Sequence, residues 1–266
     1  MLTQHVRALA VSGRLPRERI VHVWHAAPAL AAPAESRRAC LDLLDPVERE
    51  RLGRFRFDVD AVAYLAAHAL LRSALSCFAP VHPRTWRFRG GMHGKPVVEK
   101  PALHRRLSFS LSHTSGRVAI AVGRHCELGI DVEDANVGAS LLENPERFLS
   151  PAEVESLRTL PPEARADRFL ACWTLKESLL KALGIGLSIP PQDLGFDLDK
   201  VPDPRVSFPR SMREDPASWH FRRFSATDRH PVALAIRCQP GSNVLVWITE
   251  ASELPLRFAS KVPGPV

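Results

Sequence analysis

Apolar residues recur at helical spacing from Phe169 through Cys172, Trp173, Leu175, Leu179 and Leu180 to Leu183. The pattern predicts a helix that begins near Glu163 and is stopped by Gly184 and Gly186, with Pro190 and Pro191 forbidding its return. Upstream, Leu128, Ile130 and Val132 alternate with Gly129, Asp131 and Glu133, which is the period of a strand. The other elements fall around these two. A strand is predicted at 21–24 and a helix at 37–44, reached by a loop over 33–38. Asp45 and Pro46 read as cap and first residue of a helix over 47–53. Asp58 is expected to cap a longer helix over 59–78, whose stripe of Val62, Leu65, Ala66, Ala69, Leu70 and Leu75 faces the core. Strands follow at 85–89, 107–111, 118–122 and 128–133, with turns at 90–96 and 112–116 and a link over 136–144. Ser150, Pro151 and Glu153 open a helix that ends before Pro161 and Pro162. Beyond Pro191 the pattern becomes strands at 194–198, 206–208, 219–224, 232–237 and 244–248. Residues 1–19 and the tail after Pro255 are expected to lack regular structure. Pattern alone supports an α+β assignment, and no internal repeat is strong enough to prove duplication.

Charges change the picture at two places. Lys176, Glu177 and Lys181 are set into the mostly apolar helix. Glu177 and Lys181 are four apart and share a face, with Trp173 one turn earlier on the same side. Lys176 points roughly 100° away around the helix. On the strand, Asp131 and Glu133 are two apart, so both carboxylates leave one face. Taken singly, each is a solvated polar face. Together, Asp131, Glu133 and Glu177 supply three hard oxygen ligands, a set suited to Mg²⁺, with Mn²⁺ as the other candidate.

Composition narrows the classes. The 266 residues are 45% hydrophobic, enough for a substantial core. No apolar run reaches the ~20 residues of a membrane span, and the first residues carry no long apolar signal region. A soluble, cytoplasmic protein is expected. The five cysteines form no C-x-x-C pair, so neither a zinc site nor a disulfide framework is indicated. A net charge of +7 favours polyanionic partners. Nucleic acid is disfavoured, because the basic residues are scattered, there is one tyrosine, and the aromatics fall in apolar stripes.

Gly129-Ile130-Asp131-Val132-Glu133, followed about forty residues later by Trp173-Thr174-Leu175-Lys176-Glu177-Ser178-Leu179-Leu180-Lys181, resembles the 4'-phosphopantetheinyl transferases. The resemblance is to the surfactin-synthetase-activating type, with two similar halves in one chain. Two further motifs stand upstream in the expected order: Gly94-Lys95-Pro96, and Phe109-Ser110-Leu111-Ser112-His113-Thr114, where the family usually has Phe-Asn at its start. The likeness runs from about Pro46 to Leu187.

The resemblance implies two similar α+β halves related by a pseudo-twofold, with the active site between them. Residues 1–125 would carry the coenzyme A-binding elements and 126–266 the metal ligands. It implies transfer of the 4'-phosphopantetheine arm of coenzyme A to a serine hydroxyl of an apo carrier protein, with Mg²⁺, releasing 3',5'-ADP. The family's metal ligands match Asp131, Glu133 and Glu177. Its coenzyme A contacts match Arg51 (at the 3'-phosphate), Lys95, Pro96, Ser112, His113 and Lys181, with Arg54 and Arg72 as further candidates. Catalysis would fall to Glu177 and Lys181, and either Glu177 or a water on the metal takes the serine proton. The implied partner is a small acidic carrier domain, which +7 would attract. A monomer is expected, without membrane or nucleic-acid partners. The competing reading is a non-catalytic coenzyme A or nucleotide binder of the same fold. It predicts a lost metal carboxylate, and none is missing.

Overall fold

The computed structural model describes residues 18–91, 94–102, 107–136, 142–186, 188–199 and 204–256. The expectations for residues 1–17, for 137–141 of the link and for 257–266 lie outside these residues.

Two α+β halves follow one another. The first runs β1 (Glu18–Ala26), α1 (Ala34–Leu43), α2 (Pro46–Leu52), α3 (Asp58–Phe78), a hairpin β2 (Arg87–Gly90) and β3 (Pro96–Lys100), then β4 (Leu107–Thr114) and β5 (Arg117–Arg124). The second runs β6 (Glu127–Val132), α4 (Pro151–Thr159), α5 (Pro162–Leu183), a hairpin β7 (Gly195–Asp197) and β8 (Arg205–Ser207), then β9 (Trp219–Thr227) and β10 (His230–Arg237). In both, the last long strand returns antiparallel beside the first: β5 pairs β1, and β10 pairs β6. A final strand, β11 (Asn243–Glu250), crosses back and pairs parallel with β1, giving the sheet orders β11-β1-β5-β4 and β6-β10-β9.

Strand periodicity stacks these pieces into four layers. On β5, Val118, Ile120 and Val122 pack toward α3, while Ala119 and Ala121 face the second sheet. On β10, Val232, Leu234 and Ile236 face the first sheet, while Ala233 and Ala235 face α5. The order is therefore helix, sheet, sheet, helix. By length and hydropathy α3 would pass for a membrane span, but 83% of its apolar window is buried inside the molecule, so the core consumes that surface.

The same alternation aims β6. Leu128, Ile130 and Val132 enter the inter-sheet core, so Gly129 and Asp131 face α5. The helix lies flush on the strand at Gly129, where a Cβ would fall 1.8 Å from Ser178 O and 2.5 Å from Ala182 N. Both are main-chain atoms that cannot swing aside. Gly129→Ala is therefore expected to cost about 1–3 kcal/mol, read as a lower urea midpoint at unchanged slope.

Capping boxes set α2 and α4. Asp45 and Glu48 close one around α2, and Ser150 and Glu153 close the other around α4. Gly184, at φ 68°, ends α5 in the left-handed conformation that glycine adopts without penalty.

The structure corrects several local expectations. Asp58 is not a cap: Phe57 holds that position, and Asp58 pairs with Arg37 at 3.1 Å. The strand expected at 85–89 begins at Arg87, because Pro83–Thr85 forms a 3-10 turn. Strand β3 was not predicted, since only Val97 and Val98 mark it. Ser112, His113 and Thr114 continue β4 rather than turning, and the turn falls at Ser115 and Gly116. Helix α1 starts three residues earlier than the expected 37, directly after Pro33. Glu18 and Arg19 open β1 instead of fraying.

Candidate active site

The halves meet at a cavity of about 430 Å³. The first half contributes Arg51, Tyr64 and His68 from α2 and α3, Pro96 from β3, and His113 from β4; the second contributes Glu177 and Lys181 from α5.

Asp131 sits one contact deeper. It is 3% exposed. Its Oδ1 accepts from Lys181 Nζ at 2.6 Å and from Ser112 Oγ at 3.0 Å, and Lys181 Nζ also donates to Ser112 Oγ at 2.9 Å. Its Oδ2 is buried with no partner. A buried carboxylate oxygen without a donor is costly, and an orphan of this kind marks a place for a cation.

Glu133 lies just past the end of β6 and accepts from Trp173 Nε1 at 3.2 Å. Burial, followed by the charge of Asp131, pushes its pKa up, with Glu177 adding to the rise against Trp173 and Lys181. Glu177 is half-buried, and burial and then Asp131 push its pKa up against Lys181. The three carboxylates therefore feel one another as crowded like charges. They do not yet form a cage: among the described residues no group of three His, Cys, Asp or Glu stands close enough to hold a metal. In this arrangement the Lys181 ammonium is the counter-ion of Asp131. The donor set fits Mg²⁺ taken by one or two carboxylates at a time, with the remaining ligands from phosphates and water.

Comparison with known proteins decides what this site belongs to. Residues 127–235 match the 4'-phosphopantetheinyl transferase superfamily, and residues 32–125 match the 4'-phosphopantetheinyl transferase N-terminal family. The 4'-phosphopantetheinyl transferase HetI of Nostoc sp. is 32% identical over 168 residues, covering 63% of this chain and 70% of that protein. The chain belongs to the 4'-phosphopantetheinyl transferase superfamily. Among its relatives, Sfp of Bacillus subtilis is 30% identical over 66% of this chain and 76% of its own. The L-aminoadipate-semialdehyde dehydrogenase-phosphopantetheinyl transferase of Rattus norvegicus is 28% identical over 80% of this chain and 73% of its own. The activity is thus transfer of 4'-phosphopantetheine from coenzyme A to carrier proteins.

The transferase brings together most of the residues singled out from sequence. Ser112 and Lys181 stand on Asp131, and Arg51, Pro96 and His113 line the cleft. His113 stands at the solvent-accessible mouth, where the surrounding protein and then the Lys181 charge lower its pKa.

Lys95 lines the cleft, as its motif suggested, and also holds two elements together. Its Nζ donates to Leu128 O at 3.0 Å and Ala182 O at 2.9 Å, stapling the end of α5 to β6. Burial lowers its pKa. Its stem walls the cleft, but its ammonium is spent on carbonyls. Lys176 is likewise removed from the chemistry. It is 0% exposed, paired with Glu153 at 2.5 Å, and donates to Phe148 O and Pro191 O. Arg54 pairs on the surface with Glu50, and Arg72 is buried against Glu48 and Asp45.

Tyr64 and His68 were missed. The signal was present: Tyr64, His68 and Arg72 recur every four residues in an otherwise apolar helix, and such a stripe shares one face.

Proposed function

We propose that the transferase uses Mg²⁺, or Mn²⁺ in its place, held by Asp131, Glu133 and Glu177, to move the arm of coenzyme A onto a carrier serine. The observation that carries this reading is the orphaned Asp131 Oδ2, buried behind Lys181, which lines the cleft beside Glu177. When bound, the cation neutralises charge that builds on the diphosphate as it is cleaved.

The chain's own residues do the rest. Lys181, with Ser112 beside it, is placed to meet the phosphates next to Glu177, and Arg51, Pro96 and His113 line the path of the nucleotide. The serine oxygen bonds to the phosphorus that bears the pantetheine arm. The bond from that phosphorus to the bridging oxygen breaks, and 3',5'-ADP leaves. Glu177 receives the serine proton.

One chain supplies both walls of the site, so a monomer suffices. We assign coenzyme A recognition to residues 1–125 and the metal ligands to 126–266. The net charge of +7 suits an acidic carrier domain rather than membrane or nucleic acid. All five cysteines are free thiols, which suits a reducing cytoplasm.

Incubation with coenzyme A, Mg²⁺ and apo carrier proteins tests this by mass spectrometry. Each acceptor should gain the mass of one phosphopantetheine, and the gain should vanish with EDTA. Coenzyme A binding without any gain across a panel of carriers would leave only a binder of the same fold.

A further inference from the structure

Asp131 meets the cleft only through another side chain. Its carboxylate is 3% exposed, and the residue that bonds to it and lines the cavity is Lys181, whose side chain is 32% exposed. The two halves close over it together, with Ser112 coming from β4 and Lys181 from the last turn of α5. Lys181 Nζ donates to Asp131 Oδ1 at 2.6 Å and to Ser112 Oγ at 2.9 Å, and Ser112 Oγ donates to Oδ1 at 3.0 Å. This closed triangle fills one carboxylate oxygen. The other, Oδ2, is buried without a partner.

A resident ammonium and an arriving divalent cation therefore compete for one carboxylate. Two cations on a buried group repel, and the weak screening of the interior enlarges that repulsion. Lys181 also acts on the rest of the acidic set. Burial and then Asp131 push the Glu133 and Glu177 carboxyls up, and the Lys181 charge opposes both rises. Lys95 is not available for this task, because Leu128 O and Ala182 O hold its ammonium. A diphosphate in the cleft would offer Lys181 several anionic oxygens at once. The four-carbon stem lets the ammonium turn to them while α5 stays in place.

We infer that Lys181 bars the divalent ion from Asp131 until a diphosphate draws its ammonium away, so that the ion enters with the phosphates and not before them. The inference rests on the cation site proposed above.

Equilibrium binding of Mn²⁺, followed by the loss of its free-ion EPR signal, tests it without turnover. Wild type alone should bind Mn²⁺ weakly, and coenzyme A should tighten it. Lys181→Met and Lys181→Gln remove the charge; the glutamine keeps a donor for Asp131 and so protects the fold if the methionine variant is unstable. Without coenzyme A, both should bind Mn²⁺ roughly 5–150-fold more tightly than wild type, the range typical of coupling between two sites. Lys181→Arg keeps the cation and should stay as weak as wild type. Adding Asp131→Asn to either neutral variant should abolish the gain. A lysine that served only to bind phosphate or to hold the fold would give no such gain. Neutral variants that bind Mn²⁺ alone no better than wild type, while coenzyme A still tightens it in wild type, overturn the inference and leave the cation site standing. A gain that survives Asp131→Asn places the ion elsewhere and also overturns it. No Mn²⁺ binding by any of these proteins, with or without coenzyme A, sinks the cation site itself.

Discussion

Arg72→Met should lower the unfolding free energy by about 3–5 kcal/mol, the scale for removing one partner of a buried ion pair. The side chain is wholly buried. Its Nη2 donates to Asp45 Oδ2 at 3.0 Å and Glu48 Oε2 at 2.5 Å, and its Nη1 to Pro83 O at 3.1 Å and Trp86 O at 2.9 Å. Methionine fills much of the volume but takes the guanidinium's bonds from Asp45 Oδ2, Pro83 O and Trp86 O, and leaves Glu48 with Asp45 N and His68 alone. Lysine keeps the charge and loses the planar fork, so Arg72→Lys should fall between. The total stability of a folded domain is only about 5–15 kcal/mol, so the methionine variant should be near the edge of folding. The exposed pair Arg54–Glu50 is the control, since surface pairs contribute ~0–1 kcal/mol. Urea midpoints for Arg72→Met no lower than for Arg54→Met would show that the network contributes little.

The network also sets a pH dependence. Burial would raise the pKa of Glu48, but the His68 hydrogen bond and the His68 and Arg72 charges outweigh it, and the net shift is downward. A lowered folded pKa stabilises the fold above the unfolded value of ~4.3 and loses that contribution as pH falls through the folded value. Acid should therefore loosen α2 and α3, and with them the cleft wall that holds His68.

Much of this was legible in the sequence, because much of it is local. The alternation Leu128, Ile130, Val132 fixes which way Asp131 faces, and the apolar spacing from Phe169 to Leu183 fixes α5. The two capping boxes are written in four residues each. What sequence could not show depends on residues far apart in the chain. Lys95 reaches carbonyls 33 and 87 residues away, so nothing near Gly94-Lys95-Pro96 reveals that its ammonium is already occupied. The burial of Lys176 follows from Glu153 and Pro191 arriving on the same side of α5. Strand β11 shows ordinary alternation, but its return to β1 in the other half is set by the whole fold. The duplication hides for a related reason. Asp45-Pro46-Val47-Glu48 and Ser150-Pro151-Ala152-Glu153 share a proline and a glutamate, a pattern common to many helix starts, and their equivalence appears only once Arg72 and Lys176 are seen gripping Glu48 and Glu153.

Glu177→Gln should reduce transfer by roughly 10²–10³-fold, the scale for losing one group that stabilises the transition state, while coenzyme A binding changes little. It should also stabilise the metal-free protein, and the sign follows from the crowding of the site. Burial and Asp131 raise the folded pKa of Glu177 above its unfolded value. Below the unfolded value, ~4.3, the group is protonated in both states and contributes nothing. As pH rises through the unfolded and then the folded value, the folded state must carry a disfavoured charge, and stability is lost. Glutamine has no charge to carry. In EDTA at neutral pH, Glu177→Gln should therefore melt above wild type, and the gap should close as pH falls below the ordinary carboxylate range. Mg²⁺ should narrow the gap from the other side, by stabilising wild type more than the variant. A charge that destabilises the empty site and is needed for turnover is what a cation site held ready for its ion requires. A variant that melts below wild type at neutral pH, or that turns over at an undiminished rate, would show that Glu177 is an ordinary structural carboxylate.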